Sequence, residues 1–131
     1  MAITKITHKI LEDRYTASTD INTYQGTVSF DCSLGSVFNM QSNLTGAFTI
    51  SLTGYKKGQV ITIYGLRGAQ TVNLAAQGTS TNTFNKIGGS DYDDTDNNTY
   101  NIIQIECVDD SATDPVFFYS VATYEAASND I

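Results

Sequence analysis

The chain has no tryptophan, one proline, one histidine and two cysteines. Each scarcity removes a class of chemistry. The single histidine, His8, sits beside Lys9, with neither a Gly-x-Ser-x-Gly motif nor a Cys/His pairing around it. A nucleophile, base and orienter therefore cannot be assembled on it. Glycoside hydrolysis needs paired carboxylates facing a saccharide groove. Here the acids cluster in loops, and no tryptophan offers a sugar platform. Cys32 and Cys107 lie in strand-like text at a spacing that matches no zinc or redox motif. Two buried free thiols are expected, since a disulfide would require neighbouring strands in suitable geometry. Basic residues are also few: seven against fourteen acids, for a formal net charge of −7. The basic face that displaces counterions from nucleic acid is missing, so no nucleic-acid partner is expected. No apolar run approaches the roughly 18 residues of a membrane helix, so no membrane partner is expected either. Met1–Lys5 has no apolar core behind it, which argues against a secretory signal.

Charged residues make up 16% of the chain, against about 25% in an average globular protein. Thr, Ser, Asn and Gln take their place, together with eight tyrosines and six phenylalanines. This mixture suits strands and turns better than helices, and it is too apolar for disorder. The length fits one domain. After residue 17 the hydrophobic period is two almost everywhere. Phe48, Ile50 and Leu52 share one face of Ala47–Thr53, and hydroxyls share the other. Further strands are expected in 26–31, 36–41, 59–64, 70–74, 83–87, 100–108 and 116–124. The last two are the most apolar and are placed centrally. Gly54–Gly58 and Gly65–Gly68 are short glycine-bounded links that look like hairpins. No 10-residue helical pattern separates the strands and no solenoid-period repeat is visible. The expectation is therefore an all-β fold: an antiparallel β-sandwich or jelly roll of about eight strands. Its parts would be an N-terminal arm (1–20), the sandwich (21–125) and a short tail (126–131). Within the arm, Ile3, Ile6, Ile10 and Leu11 have helical spacing. They fit either a short helix capping the sandwich or an arm packing on another subunit.

The Asp91–Asn98 loop is rich in oxygen donors. Asp91, Asp93, Asp94 and Asp96 form a candidate calcium cluster, because hard cations favour carboxylate ligands. The loop departs from the calcium-loop pattern. From Asp94 the required glycine is absent and the twelfth position is Ile105; from Asp91 it is Ile102. A solvated turn is the competing reading, and no cofactor is expected. Ten of the fourteen acids lie from Asp91 onward, after every basic residue, so one end of the fold should carry an acidic field. Gly65–Gly68 has a G-x-x-G spacing but opens no helix, unlike a phosphate-gripping loop. Tyr64, Tyr119 and Tyr124 fall in strands and suit packing. Tyr55 and Tyr92 fall in turns and are the candidates for stacking on a sugar or a partner.

Several segments in order resemble the small β domains of tailed-bacteriophage virion proteins. The run Lys9-Ile-Leu-Glu-Asp-Arg-Tyr-Thr-Ala-Ser18 looks like their start. It is followed by Gly26–Asp31, Val37–Met40, Asn43–Gly54, Lys57–Ile61 and Asn101–Ile105, so the resemblance spans residues 9–124. It implies a non-enzymatic structural protein of the virion, commonly a homotrimer, and carries over no catalytic residue. The short stretch before the strands leaves no room for a fibre shaft. That favours a capsid-decorating (auxiliary) head protein or short head fibre, assembled in the host cytoplasm and contacting the major capsid protein or other virion proteins. Attachment would then run through Ile3, Ile6, Ile10, Leu11 and Arg14, with the acidic end outward, and Phe38, Met40 and Phe117 would form the oligomer interface. The alternative within the same resemblance is a tail-fibre or receptor-binding module for a host surface glycan.

Overall fold

The computed structural model describes residues 18–77 and 83–128, and among these there are nine strands and no helix. They are β1 (Ser18–Ile21), β2 (Gly26–Asp31), β3 (Val37–Met40), β4 (Phe48–Thr53), β5 (Val60–Leu66), β6 (Val72–Ala76), β7 (Phe84–Gly89), β8 (Thr99–Asp109) and β9 (Val116–Glu125). A six-stranded sheet has the order β1-β3-β5-β8-β9-β7, and a three-stranded sheet has the order β2-β4-β6. The fold is all-β, as expected, but its sheets are mixed. β1, β3 and β5 run parallel, as do β2, β4 and β6. Antiparallel pairing begins only where β8 joins β5 and β9 joins β8, and β7 then adds parallel to β9.

The expected antiparallel arrangement is therefore corrected for residues 18–77. There the chain coils, passing from the wide sheet to the narrow one and back. Gly54–Gly58 and Gly65–Gly68 carry it between sheets and do not form hairpins. A period of two reports which face of a strand is buried but not which neighbour it pairs with or in which direction. The coils are also unequal. Ser18 pairs with Val37 and Val37 with Thr62, while Gly26 pairs with Phe48 and Phe48 with Val72. A search for a fixed period misses such a repeat. Its trace is short: in register, Thr27 stacks on Thr49, Val28 on Ile50, Ser29 on Ser51 and Phe30 on Leu52. The first strand starts at Ser18, so residues 18–20, assigned above to the arm, belong to the sheet.

Both sheets contribute to one apolar core. Phe48, Ile50 and Leu52 of β4 are fully buried, while Thr49, Ser51 and Thr53 lie half-buried on the other face. Phe30 of the narrow sheet meets Phe38 of the wide one, ring centroids 5.0 Å apart, and Phe48 at 6.3 Å. This placement corrects the proposed oligomer interface. Phe38, Met40 and Phe117 lie inside a single chain, exposed by only 1%, 5% and 0%. Phe118 is the residue of that pair whose side chain turns outward, half-buried. A strand read one position out of phase exchanges its faces.

Two backbone details complete the architecture. Gly65 has φ 79°, and a Cβ there would lie 2.9 Å from the Met40 carbonyl. It forms a bulge after Ile63 that brings Leu66, fully buried, into the core. Gln59 is buried; its Nε2 donates to Cys32 O and Ser36 Oγ, both at 2.9 Å, and its Oε1 accepts from Lys56 N at 3.1 Å. The Lys-Gly-Gln turn is thus held from within by an amide that leaves little of its polarity unsatisfied.

Truncating Phe30 leaves a cavity between the two sheets. Phe30→Ala is expected to lower the unfolding free energy by about 3–5 kcal/mol, measured by urea denaturation. A loss below about 1 kcal/mol would show that the sheets do not share this core.

Candidate functional site

The coil connections at one end of the fold stack on one another. Thr45 N donates to Tyr24 O (2.9 Å), Leu44 N to Arg67 O (3.0 Å) and Gly68 N to Asp96 O (2.9 Å). The last bond joins the coils to the acidic loop between β7 and β8. Asn101, on the inner face of β8 and fully buried, anchors that loop. Its Oδ1 accepts from Asp93 N (2.8 Å), and its Nδ2 donates to Asp93 O (2.9 Å) and Leu66 O (3.1 Å).

The carboxylates of the loop are engaged locally. Asp93 Oδ1 accepts from Thr95 N (2.9 Å) and Thr95 Oγ1 (2.6 Å). Asp96 Oδ1 accepts from Asn98 N and Thr99 N, both at 2.8 Å. The Thr99 and Asn98 backbone N–H groups hold the Asp96 carboxyl below its ordinary value of 3.8. Asp91 pairs with Lys86 at 3.0 Å, an exposed bridge that adds little stability. Among the described residues, no three His, Cys, Asp or Glu side chains are grouped to hold a metal ion. Asp91, Asp93, Asp94 and Asp96 are therefore not brought together as a calcium site. Asp93 and Asp96 act as local turn staples, the use that Asp makes of nearby backbone N–H groups. Nor do the acids mark one end of the fold. Asp91–Asp96 precede β8, and Asp109, Asp110 and Asp114 follow it. An 11-residue strand separates the two groups by about 34 Å.

Beside the loop, on the outer face of the wide sheet, the Arg67 guanidinium lies over the Tyr100 ring, 4.4 Å from its centroid. Tyr124 meets the same ring edge-on at 5.2 Å. Arg67 is itself fixed: Nε donates to Asn43 Oδ1 (2.9 Å), Nη1 to Gly65 O (2.8 Å) and Nη2 to Gln41 O (3.4 Å). Burial pushes the Tyr124 phenol above its ordinary value, opposed by a hydrogen bond to the Gly65 backbone. Asn97, Asn98, Thr99, Tyr100, Glu125 and Ala126 line a crevice of about 360 Å³ here.

A second concavity, about 250 Å³, lies between the free edge of β6 and the inner face of β7–β9. Val72, Leu74, Phe84 and Tyr119 wall it, with Tyr92 at one side. It exists because three strands cover a sheet of six.

The turn tyrosines expected to be free for stacking are not. Tyr55 is 8% exposed; its hydroxyl donates to Gln77 O (3.0 Å) and its ring packs edge-on against Phe117. Tyr92 is half-buried, and burial, with Asp94 and Asp93 nearby, raises its pKa strongly. Of the strand tyrosines expected to pack, Tyr119 packs against the core and Tyr124 packs edge-on against Tyr100 while staying 36% exposed, whereas Tyr64 is 39% exposed. Cys32 and Cys107 are buried free thiols, and burial, with Asp110 nearby, pushes the Cys107 thiol up to about 11. Ile3, Ile6, His8, Ile10, Leu11 and Arg14 lie outside the described residues. Sequence reasoning missed Arg67, Asn43 and Tyr100 as a cluster. The only local signal was an arginine inside the Gly65–Gly68 link; its contacts depend on how the coils stack.

Comparison with known protein families, curated proteins and solved structures finds no match in any of the three.

Two predictions follow from this end of the molecule. Asn101→Ala leaves the Asp93 backbone groups and the Leu66 carbonyl without their partner. It is expected to cost about 1–3 kcal/mol and to speed amide hydrogen exchange at Asp93. An unchanged exchange rate there would refute the anchoring role. A carboxyl whose folded pKa is depressed gives stability above its unfolded pKa that is lost as pH falls through the folded value. The Asn98 and Thr99 amide signals should therefore titrate together with a midpoint below the ordinary carboxyl value of 3.8. A midpoint above that value in an NMR titration would contradict the geometry.

Proposed function

We propose that the chain is a non-enzymatic structural protein of a tailed-phage virion, an oligomeric capsid-decorating protein of the head attached through its N-terminal arm. The resemblance over residues 9–124 supports the class. The observation that carries the assembly role is the outer face of the wide sheet beside its edge strand β7. There Val60 and Ile87 are 40% and 68% exposed. With Phe118 they line an open crevice of about 270 Å³. Gln104, Glu106 and Ser120 also line it, and Glu106 sits between Val60 and Phe118 in the sheet. Exposed apolar side chains around a few polar groups, next to a strand edge unpaired among the described residues, suit a surface covered by another subunit. Val60, Ile87 and Phe118 therefore replace Phe38, Met40 and Phe117 as the interface of a homotrimer. The two-layered arrangement reads as a β-sandwich built on parallel coils and not as a jelly roll. Many weak contacts on a repeated lattice would hold such a protein by avidity.

Quantitative mass spectrometry of purified particles tests this. Many copies in fixed ratio to the major capsid protein are expected. A few copies per particle would replace the head role with a fibre or tail role, and absence would overturn the reading. In solution, Ile87→Asp with Phe118→Glu is expected to shift an oligomer to monomer in light scattering while the monomer keeps its β-sheet circular dichroism; a drop in melting temperature is expected with the loss of association.

A further inference from the structure

We propose that the groove beside β6 receives residues 4–10 of a second copy of this chain as an added strand. The inference rests on the oligomeric reading above and deepens it by naming where the arm of each copy goes. The groove has the form of a vacant strand position. Along the β4–β6 ladder, Phe48 N donates to Thr71 O (2.9 Å) and Gln77 N to Leu52 O (3.1 Å). Alternate residues of a parallel strand bond the same neighbour, so Thr71, Asn73, Ala75 and Gln77 face β4. Val72, Leu74 and Ala76 then turn their N–H and C=O groups to the other side, where no strand pairs among the described residues. The floor of this position is apolar. Ile103 and Val121 lie under it, both buried, with Phe84 and Tyr119 beside them. An extended segment laid here gains ladder hydrogen bonds on one side, buries alternate side chains and covers an open edge.

The chain carries a segment of matching chemistry in the residues that precede Ser18. Ile6, His8 and Ile10 alternate with Lys5, Thr7 and Lys9, so an extended form puts two isoleucines on one face and both lysines on the other. The open edge is five residues long, about 17 Å, and takes a segment of that size. Charge is complementary too. Residues 1–11 hold Lys5 and Lys9 and no acid. Asp94 and Asp93 stand beside Tyr92 in the groove wall, close enough to add to the effect of burial on its phenol. Opposite charges at the two surfaces steer the segment to this end of the molecule. Reach points to a second copy as the donor. Ser18 opens β1 at the far edge of the wide sheet, and β8 and β9, under the groove, are the third and fourth strands from it. That is roughly 17 Å along the sheet and about 10 Å across the core, or about 20 Å straight through the protein. Residues 11–17 span at most about 25 Å when fully extended, and within one chain they would have to pass outside the coil returns. A neighbouring copy meets no such limit.

The experiment is paramagnetic broadening between two forms of the full chain, mixed in equal amounts. One form is isotope-labelled and untagged. The other is unlabelled and carries a nitroxide on Thr7→Cys, the native thiols being buried. Only untagged chains are seen, so broadening reports contact between copies. The Val72, Leu74, Ala76 and Val121 amides are expected to lose about half of their intensity or more. Ile6→Asp with Ile10→Asp in the tagged form should restore it. The same pair placed in every chain should speed amide exchange at Leu74 and Ala76 about tenfold, because the added ladder bonds are gone. If exchange speeds at every amide, the variant has unfolded, and the mixture, whose observed chain is unsubstituted, decides. No broadening at these amides would overturn the proposal, as would broadening that survives the two substitutions or that centres on Ile87 and Phe118. Broadening seen only with tag and isotope on one chain would place the segment in its own groove and overturn the second-copy assignment. Particle copy number is independent of this result, so failure here leaves the head role standing.

Discussion

Parallel neighbours cannot be joined by a hairpin, because the second strand must start where the first one started. Helical crossovers are the usual answer; this chain returns through a strand of the opposite sheet. Residues 18–77 follow from that constraint. Each coil contributes one strand to each sheet, every strand has one inward face, and the returns stack at both ends. The arrangement stops when β8 turns against β5. From there the wide sheet grows alone, and its last three strands have no full counterpart across the core. The unpaired edge of β6, the groove beside it and the loop stacked on the coil ends are all products of that change of direction.

Much of this was legible in the sequence, and the illegible part has a common cause. The period of two located eight of the nine strands and the inward face of β4, because burial on one side of a pleated strand leaves its mark at every second residue. Pairing direction leaves no such mark. Glycine-bounded links such as Gly54–Gly58 read alike whether the chain turns back or crosses to another sheet. Phe117 and Phe118 are adjacent aromatics, and only the register on β8 decides which faces inward. The four-residue β1 was missed because Ser18, Thr19 and Asp20 carry no apolar signal.

The acidic loop shows the same division between local and remote information. Asp93 with Thr95, and Asp96 with Asn98, are contacts two residues apart, the spacing of side chains that bond their own backbone. That part was readable as a turn. The Asn101 anchor and the Arg67–Tyr100–Tyr124 cluster draw on coils far apart in sequence, and only the fold assembles them. The apolar face by β7 and the polar crevice by Glu125 are correspondingly distinct surfaces.

The two thiols have a practical corollary. Cys32 and Cys107 are both sealed within the core, and with a pKa near 11 Cys107 holds only a trace of thiolate at neutral pH. Maleimide chemistry on the native protein should pass both by. A cysteine introduced at an exposed position would then take up a fluorophore or spin label alone, with no need to remove the native pair.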